Sequence, residues 1–405
     1  MKIGILTYHA ACNFGANLQV LSTVGCLRKA GHEPVVIDWV TEELEWWYSR
    51  STSPEQTRAH EAYRAARLPL TPRCRTAQDI ARVVEETGIE AVIVGSDAVL
   101  QHHPMPSRIV FPSRKILSVA AITADRLMPN PFWGSFLPML DRPLPAALMS
   151  VSSQNAPYRW MSPAERRQGR ELLGRFGYIS VRDAWTARMV TSLTRGAVRP
   201  PVTPDPVFAF NDNVDDQPSE AAIREKYGLE GPYYLFSFHD TKAVSREWLA
   251  AFAARAAADG ATCVALPFPG GVHFAHPFDR EIPLPLDPLD WYALLRYAAG
   301  YVGHNMHPIV VCLHNAVPCF SFDNYGIITL RTFVNERSSK IYHIMDEFGL
   351  SDNRVTSLGL RYKAPAPETV YQRMKDYDRE AVATHAAGYL RDYRQMMHDI
   401  LQSFA

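Results

Sequence analysis

The chain has 405 residues, 47% of them hydrophobic and 21% charged, which excludes a largely disordered protein and exceeds the length of one ordinary core. Two domains are therefore expected. Lys plus Arg and Asp plus Glu each number 42, so no net field gathers nucleic acid or an anionic membrane, and an anionic ligand has to be held by a local site.

Met1 to Tyr8 lacks the apolar length of a signal peptide, and no stretch reaches the ~20 apolar residues of a membrane span, so a cytoplasmic location is expected. The cysteines, Cys12, Cys26, Cys74, Cys263, Cys312 and Cys319, contain no C-x-x-C pair and read as reduced thiols. His273, His276, His304 and His314 form no zinc-spaced set, and no metal is expected.

Ile3 to Thr7 reads as a strand, and Asn13-Phe14-Gly15 as a turn. Leu18, Leu21, Val24 and Leu27 follow at helical spacing, Gly31 closes the helix, and Val35-Val36-Ile37 makes the next strand. In such βαβ units ligands collect beyond the carboxyl ends of the strands. Residues 46 to 75 are charged and helix-prone, an excursion over the cleft. A helix about Asp79 to Thr87 leads to the buried strand Ala91 to Val94 and the turn Gly95-Ser96-Asp97. Strands are expected at Met149 to Ser152 and Gly177 to Val181. The helix between them starts with Ser162 as N-cap, Pro163 in the first helical position and Glu165 completing a capping box. A helix over Thr186 to Leu193 completes the first half.

These elements define a first Rossmann-like domain over residues 1–210. The polar, acidic run 211–220 reads as a linker. A second series follows over 221–362. Its strands are expected at Tyr233 to Phe238, Thr262 to Leu266, Tyr301 to Gly303 and Pro318 to Phe322, and its helices at Trp248 to Asp259, Leu289 to Ala299 and from His307. Residues 363–405 are expected to be helical and to pack across the domains. The fold class is α/β, two doubly wound domains facing a cleft, a GT-B-like arrangement.

Five blocks, in order along the chain, resemble the polysaccharide pyruvyl transferase family. They are Asn13-Phe14-Gly15-Ala16-Asn17-Leu18-Gln19, Val94-Gly95-Ser96-Asp97, Ile179-Ser180-Val181-Arg182-Asp183, Asp205-Pro206-Val207-Phe208, and His304-Asn305-Met306-His307-Pro308-Ile309. Ser338-Ser339-Lys340-Ile341-Tyr342 also looks like an element of some relatives. The last of the five blocks is similar to a segment whose arginine and histidine are thought to meet phosphoenolpyruvate. Here the histidine is His307, while Asn305 stands at the arginine position and Ile327 at that of a later lysine. Asn offers only neutral donors to a phosphate. Arg331, Arg337 and Lys340 follow closely and could restore the charge.

The resemblance implies a transferase that moves a pyruvyl unit from phosphoenolpyruvate onto a sugar of a cell-surface glycan, its precursor or a lipid-linked oligosaccharide. No cofactor is needed, and peripheral membrane contact is compatible with such an acceptor. His307 is then the acid or the phosphate contact at a helix N-terminus. Asp97 is a base, or it stabilises its own turn. Asn13, Asn17, Gln19, Ser96, Arg182, Asn305, Arg331 and Lys340 are the expected substrate contacts, with Arg182 open to the alternative of an ion-paired structural role. Trp46, Trp47, Tyr158, Trp160, Trp291 and Tyr292 offer faces for sugar rings or simply pack. Two other functions fit the architecture: a glycosyltransferase, and a carbohydrate-binding relative without catalysis.

Overall fold

The computed structural model describes residues 1–110, 118–329, 333–360 and 362–405. In the first half the apolar runs become β1 (Lys2–Leu6), β2 (Glu33–Val36) and β3 (Ala91–Asp97), with α1 (Phe14–Lys29), α2 (Glu42–Ser51), α3 (Pro54–Arg67) and α4 (Ala77–Glu86) between them. A short antiparallel pair, β4 (Ile109–Val110) and β5 (Ser118–Val119), precedes β6 (Ala146–Val151), α5 (Pro163–Leu173), β7 (Tyr178–Val181) and α6 (Ala184–Leu193). The first sheet has the order β2-β1-β3-β6-β7 and is parallel throughout. Helices cover both its faces, so β3 and β6 are buried along their whole length and their sequences are apolar or small without alternation.

The second half opens with α7 (Phe210–Asn213) and α8 (Glu220–Tyr227), then β8 (Tyr233–Ser237), α9 (Arg246–Ala258), β9 (Thr262–Ala265), β10 (Arg280–Glu281), α10 (Pro288–Arg296), β11 (Gly300–Gly303), α11 (Met306–His314) and β12 (Cys319–Asp323). A hairpin of β13 (Ile327–Thr329) and β14 (Phe333–Asn335), α12 (Lys340–Glu347) and β15 (Arg354–Thr356) complete this half. Its parallel sheet runs β10-β9-β8-β11-β12-β15. Two helices close the chain, α13 (Pro367–Lys375) and α14 (Arg379–Gln402). α13 packs on α9, whereas α14 touches α11 of the second half and β6 and β7 of the first.

The capping box expected at Ser162 is present, with the Ser162 side chain accepting from Glu165 N and the Glu165 carboxylate accepting from Ser162 N. The acidic run after residue 210 is less extended than its composition suggests. Its first residues form α7, held because the Asn211 side chain accepts from Tyr292 Oη (2.8 Å) and Arg296 Nη1 (3.0 Å) and donates to Asn315 (3.1 Å).

One apolar core passes through the junction of the halves. Phe14 and Leu18 of α1 pack with Trp291 and Tyr292 of α10 and with Phe208 between the sheets. The Phe14 and Trp291 rings stack at 5.5 Å. A dry interface of this kind fixes the two halves more firmly than a wet one.

Candidate active site

The carboxyl ends of the two sheets face each other across a cavity of about 660 Å³. The loop after β1, the start of α1, Asp97 at the end of β3 and the inner side of α2 line it from one half. The segments after β8, β9 and β11, together with Tyr325 and Lys340, line it from the other.

The floor is a buried ionic network. Arg182, at the end of β7, donates to Asp205 (2.5 Å) and to Asp97 (3.2 Å) and is only 5% exposed. Gln19 of α1 donates to the same Asp205 oxygen (2.5 Å), and Ser96 donates to the Ser150 carbonyl (3.0 Å). Asn17 spends its amide on the Ala11 and Asn13 carbonyls. Arg182, Gln19, Ser96 and Asn17, all expected to touch substrate, therefore lie beneath the cavity and do not line it. They hold the strand ends whose neighbours do. A buried arginine with two carboxylates is compensated where it stands, which removes it as a free clamp.

Asp97 sits at the surface of this floor with φ +81, a left-handed conformation that turns its carboxylate between floor and cavity. Burial pushes its pKa up, but Arg182, His307 and Lys340 outweigh that and hold it well below the usual carboxylate range. Its Oδ1 accepts from Arg182 and from the Ala98 N–H (2.8 Å).

Opposite stands the N-terminus of α11. Asn305 occupies the N-cap position without a capping bond, because its side-chain oxygen pairs with His239 Nε2 at 2.7 Å. The Met306 and His307 amides, in the first turn of α11, have no hydrogen-bond partner among the described residues and stand where the helix dipole favours an anion. His239 is held in turn by stacking on Phe268 (4.4 Å between ring centroids).

The His307 imidazole is pushed down to about 4 by burial, against the opposing pull of Asp97 and Asp205. Its Nε2 has no hydrogen-bond partner among the described residues. The ring rests on the first turn of α1: a Cβ built on Gly15 would lie 2.0 Å from His307 Cγ. The imidazole of one half thus seats on a glycine of the other.

Lys340, the first residue of α12, is 8% exposed and lines the cavity with no ion-pair partner among the described residues. Its ammonium stands 5.1 Å from the centre of the Tyr325 ring. Burial, then Arg182, push its pKa down to about 8, with Asp97, Asp183 and Asp205 opposing. It is still a cation at neutral pH.

The structure thus brings Asn13, Asp97, Asn305, His307 and Lys340 to one cavity. Arg331 lies outside the described residues. Of the aromatic candidates, Trp47 and Trp291 line the cavity, whereas Trp46, Tyr158, Trp160 and Tyr292 do not. Sequence reasoning missed Tyr8, Tyr48, Arg126 and His239, all of which line it. Tyr8 donates to Asp125 at 2.5 Å. The available signal for Tyr8 and His239 was their place just beyond strands β1 and β8. No group of His, Cys, Asp and Glu able to hold a metal occurs among the described residues.

The architecture is that of two Rossmann-like domains facing a cleft, GT-B-like. In fold the chain is similar to UDP-N-acetylglucosamine 2-epimerase from Rickettsia bellii, with TM-score 0.53 and 9% identity over 100% of this chain and 97% of that one. It is also similar to UDP-GlcNAc 2-epimerase from Neisseria meningitidis bound to UDP-GlcNAc, with TM-score 0.51 and 10% identity over 99% and 100% of the two chains. A ugt transferase from Siraitia grosvenorii in complex with UDP gives TM-score 0.51 and 10% identity over 100% of both chains. At such identities the likeness is one of fold alone. No curated protein sequence matches the chain significantly. The profile of the polysaccharide pyruvyl transferase family, however, matches residues 13–325, from the α1 N-cap to the cavity residue Tyr325. The chain belongs to the polysaccharide pyruvyl transferase family.

Proposed function

We propose that the protein transfers the pyruvyl unit of phosphoenolpyruvate to two hydroxyls of one sugar, releasing phosphate and forming a cyclic ketal. The observation that carries the reading is Lys340: a lysine more than nine-tenths buried, facing a cavity beside an uncapped helix N-terminus, without a carboxylate partner among the described residues. A cation kept in that position is poised for an anionic ligand.

On this reading the donor's phosphate or carboxylate meets Lys340 and the Met306 and His307 amides, and Asn305 adds a neutral amide. Lys340 takes up the charge that a guanidinium at position 305 would otherwise supply. The methylene carbon of the donor gains a proton, one sugar oxygen bonds to C2 as its O–H breaks, and the second sugar oxygen, giving up its own proton, then displaces phosphate from C2, the C2–O bond pair leaving with the phosphate. His307 is neutral in the free protein. A bound dianion acts on it in the same sense as Asp97, so donor binding raises its proton affinity and charges it for use as the acid. Asp97, held strongly ionised, is a poor proton acceptor and a good hydrogen-bond acceptor, which suits it to orient the sugar hydroxyl. Trp47 and Tyr48 on α2 offer ring faces to the acceptor at the outer end.

The test is phosphate release from phosphoenolpyruvate in the presence of a panel of glycosides. Lys340→Ala and His307→Ala should each lower kcat/KM at least a hundredfold while leaving the melting temperature within a few degrees. No phosphate release with any acceptor, together with no donor-dependent rise in melting temperature, refutes the assignment.

A further inference from the structure

A second, smaller cavity is lined by Asp183, the residue that follows Arg182. It measures about 90 Å³, roughly three waters' share of liquid volume and well short of the several hundred Å³ a sugar needs. Both halves build it: Trp185 and Arg188 from α6, and Arg337, Tyr342 and His343 from the turn before α12 and its first residues.

Its charge is one-sided. Neither Arg188 nor Arg337 has a carboxylate partner among the described residues, and the remaining segments, 111–117, 330–332 and 361, contain no Asp or Glu. The one acid at the cavity, Asp183, is 3% exposed and fully engaged, accepting from Ser152 Oγ (2.7 Å), Thr186 N (2.7 Å) and Thr186 Oγ1 (3.0 Å). Two guanidinium groups without carboxylate partners around a space of this size match a single small oxyanion.

We propose that this cavity is a binding site for a phosphate-class oxyanion that ties the two domains together. Arg188 holds it from the first domain and Arg337 from the second. The turn that carries Arg337 runs directly into Ser339 and Lys340, so an anion bound there also steadies the segment that brings Lys340 to the larger cavity. The site stands independently of pyruvyl transfer, since neither of its two anion-contacting residues lines the larger cavity.

The experiment is a thermal-shift titration of the full chain with inorganic phosphate at constant ionic strength, with phosphoserine as a second probe. Wild type should show a saturable rise in melting temperature with phosphate, and a saturable rise should persist in Lys340→Ala, where the larger cavity has lost its own cation. Arg188→Ala and Arg337→Ala, both at exposed positions, should require at least tenfold more phosphate while keeping the wild-type circular dichroism spectrum. A response to phosphate and not to phosphoserine identifies the free ion as the ligand; an equal response to both widens the ligand to phosphomonoesters. The proposal is overturned if chloride at matched ionic strength gives the same rise, if both arginine variants respond as wild type, or if only the Lys340 variant loses the response.

Discussion

Gly15 has no side chain because His307 occupies the place where one would be. The φ of this residue demands nothing special; the demand is for space, and it comes from the other half of the molecule. Gly15→Ala should therefore push the imidazole off its seat. We expect kcat/KM for the donor to fall at least tenfold, about 1.4 kcal/mol of transition-state stabilisation, and the melting temperature to fall as well, because the new Cβ would also lie 2.4 Å from His307 Cβ, which rotation of the ring does not move. Unchanged kinetics in this variant would show that the ring has another resting place. The same region shows why the cavity could be read only in part from the chain. Asp97 ends β3 and Arg182 directly follows β7, and their sequence contexts look alike. One carboxylate reaches the cavity, while the guanidinium turns down to Asp205, a residue 23 positions away whose proximity no local pattern reveals.

The helices α2 and α3 show how an excursion becomes part of a wall. Gln56 of α3 imitates a peptide unit: its Nε2 donates to the Leu286 carbonyl and its Oε1 accepts from the Leu286 N–H, both at 2.7 Å and both buried. This pair fastens the excursion to the opposite domain and holds α2, with Trp47 and Tyr48, over the cavity. Gln56→Ala would leave a buried N–H and a buried C=O without partners. A loss of about 2–4 kcal/mol is expected in urea unfolding, and a change under 1 kcal/mol would show that water replaces the amide. The strands β3, β6, β8 and β12 could be read from sequence because burial on both faces makes them apolar runs. By contrast β10, β13 and β15 are two or three residues long, and β10 and β15 carry charged side chains. So short an edge strand is specified by the sheet it joins, not by its own periodicity.

Across the assembled protein, burial leaves a common titration signature. His60, His304, His307 and His314 are all pushed down to about 4 by burial. In the unfolded chain each titrates near about 6.5. Between these values the unfolded state binds protons that the folded state refuses, so stability is full above about 6.5 and is lost as the pH falls towards 4. Each histidine contributes a slope of up to ~1.4 kcal/mol per pH unit in that window. The melting temperature should drop steeply from pH 7 to pH 5; a flat profile would mean that these rings are wetter than their surroundings imply.

The imidazole and the glycine beneath it belong to different domains, as do the two helix starts that meet over the cavity. The apolar core that joins the same two domains keeps ring and glycine together without any ligand. On the proposed chemistry the site is therefore assembled before the donor arrives, and little binding energy has to be diverted to bringing its parts into place.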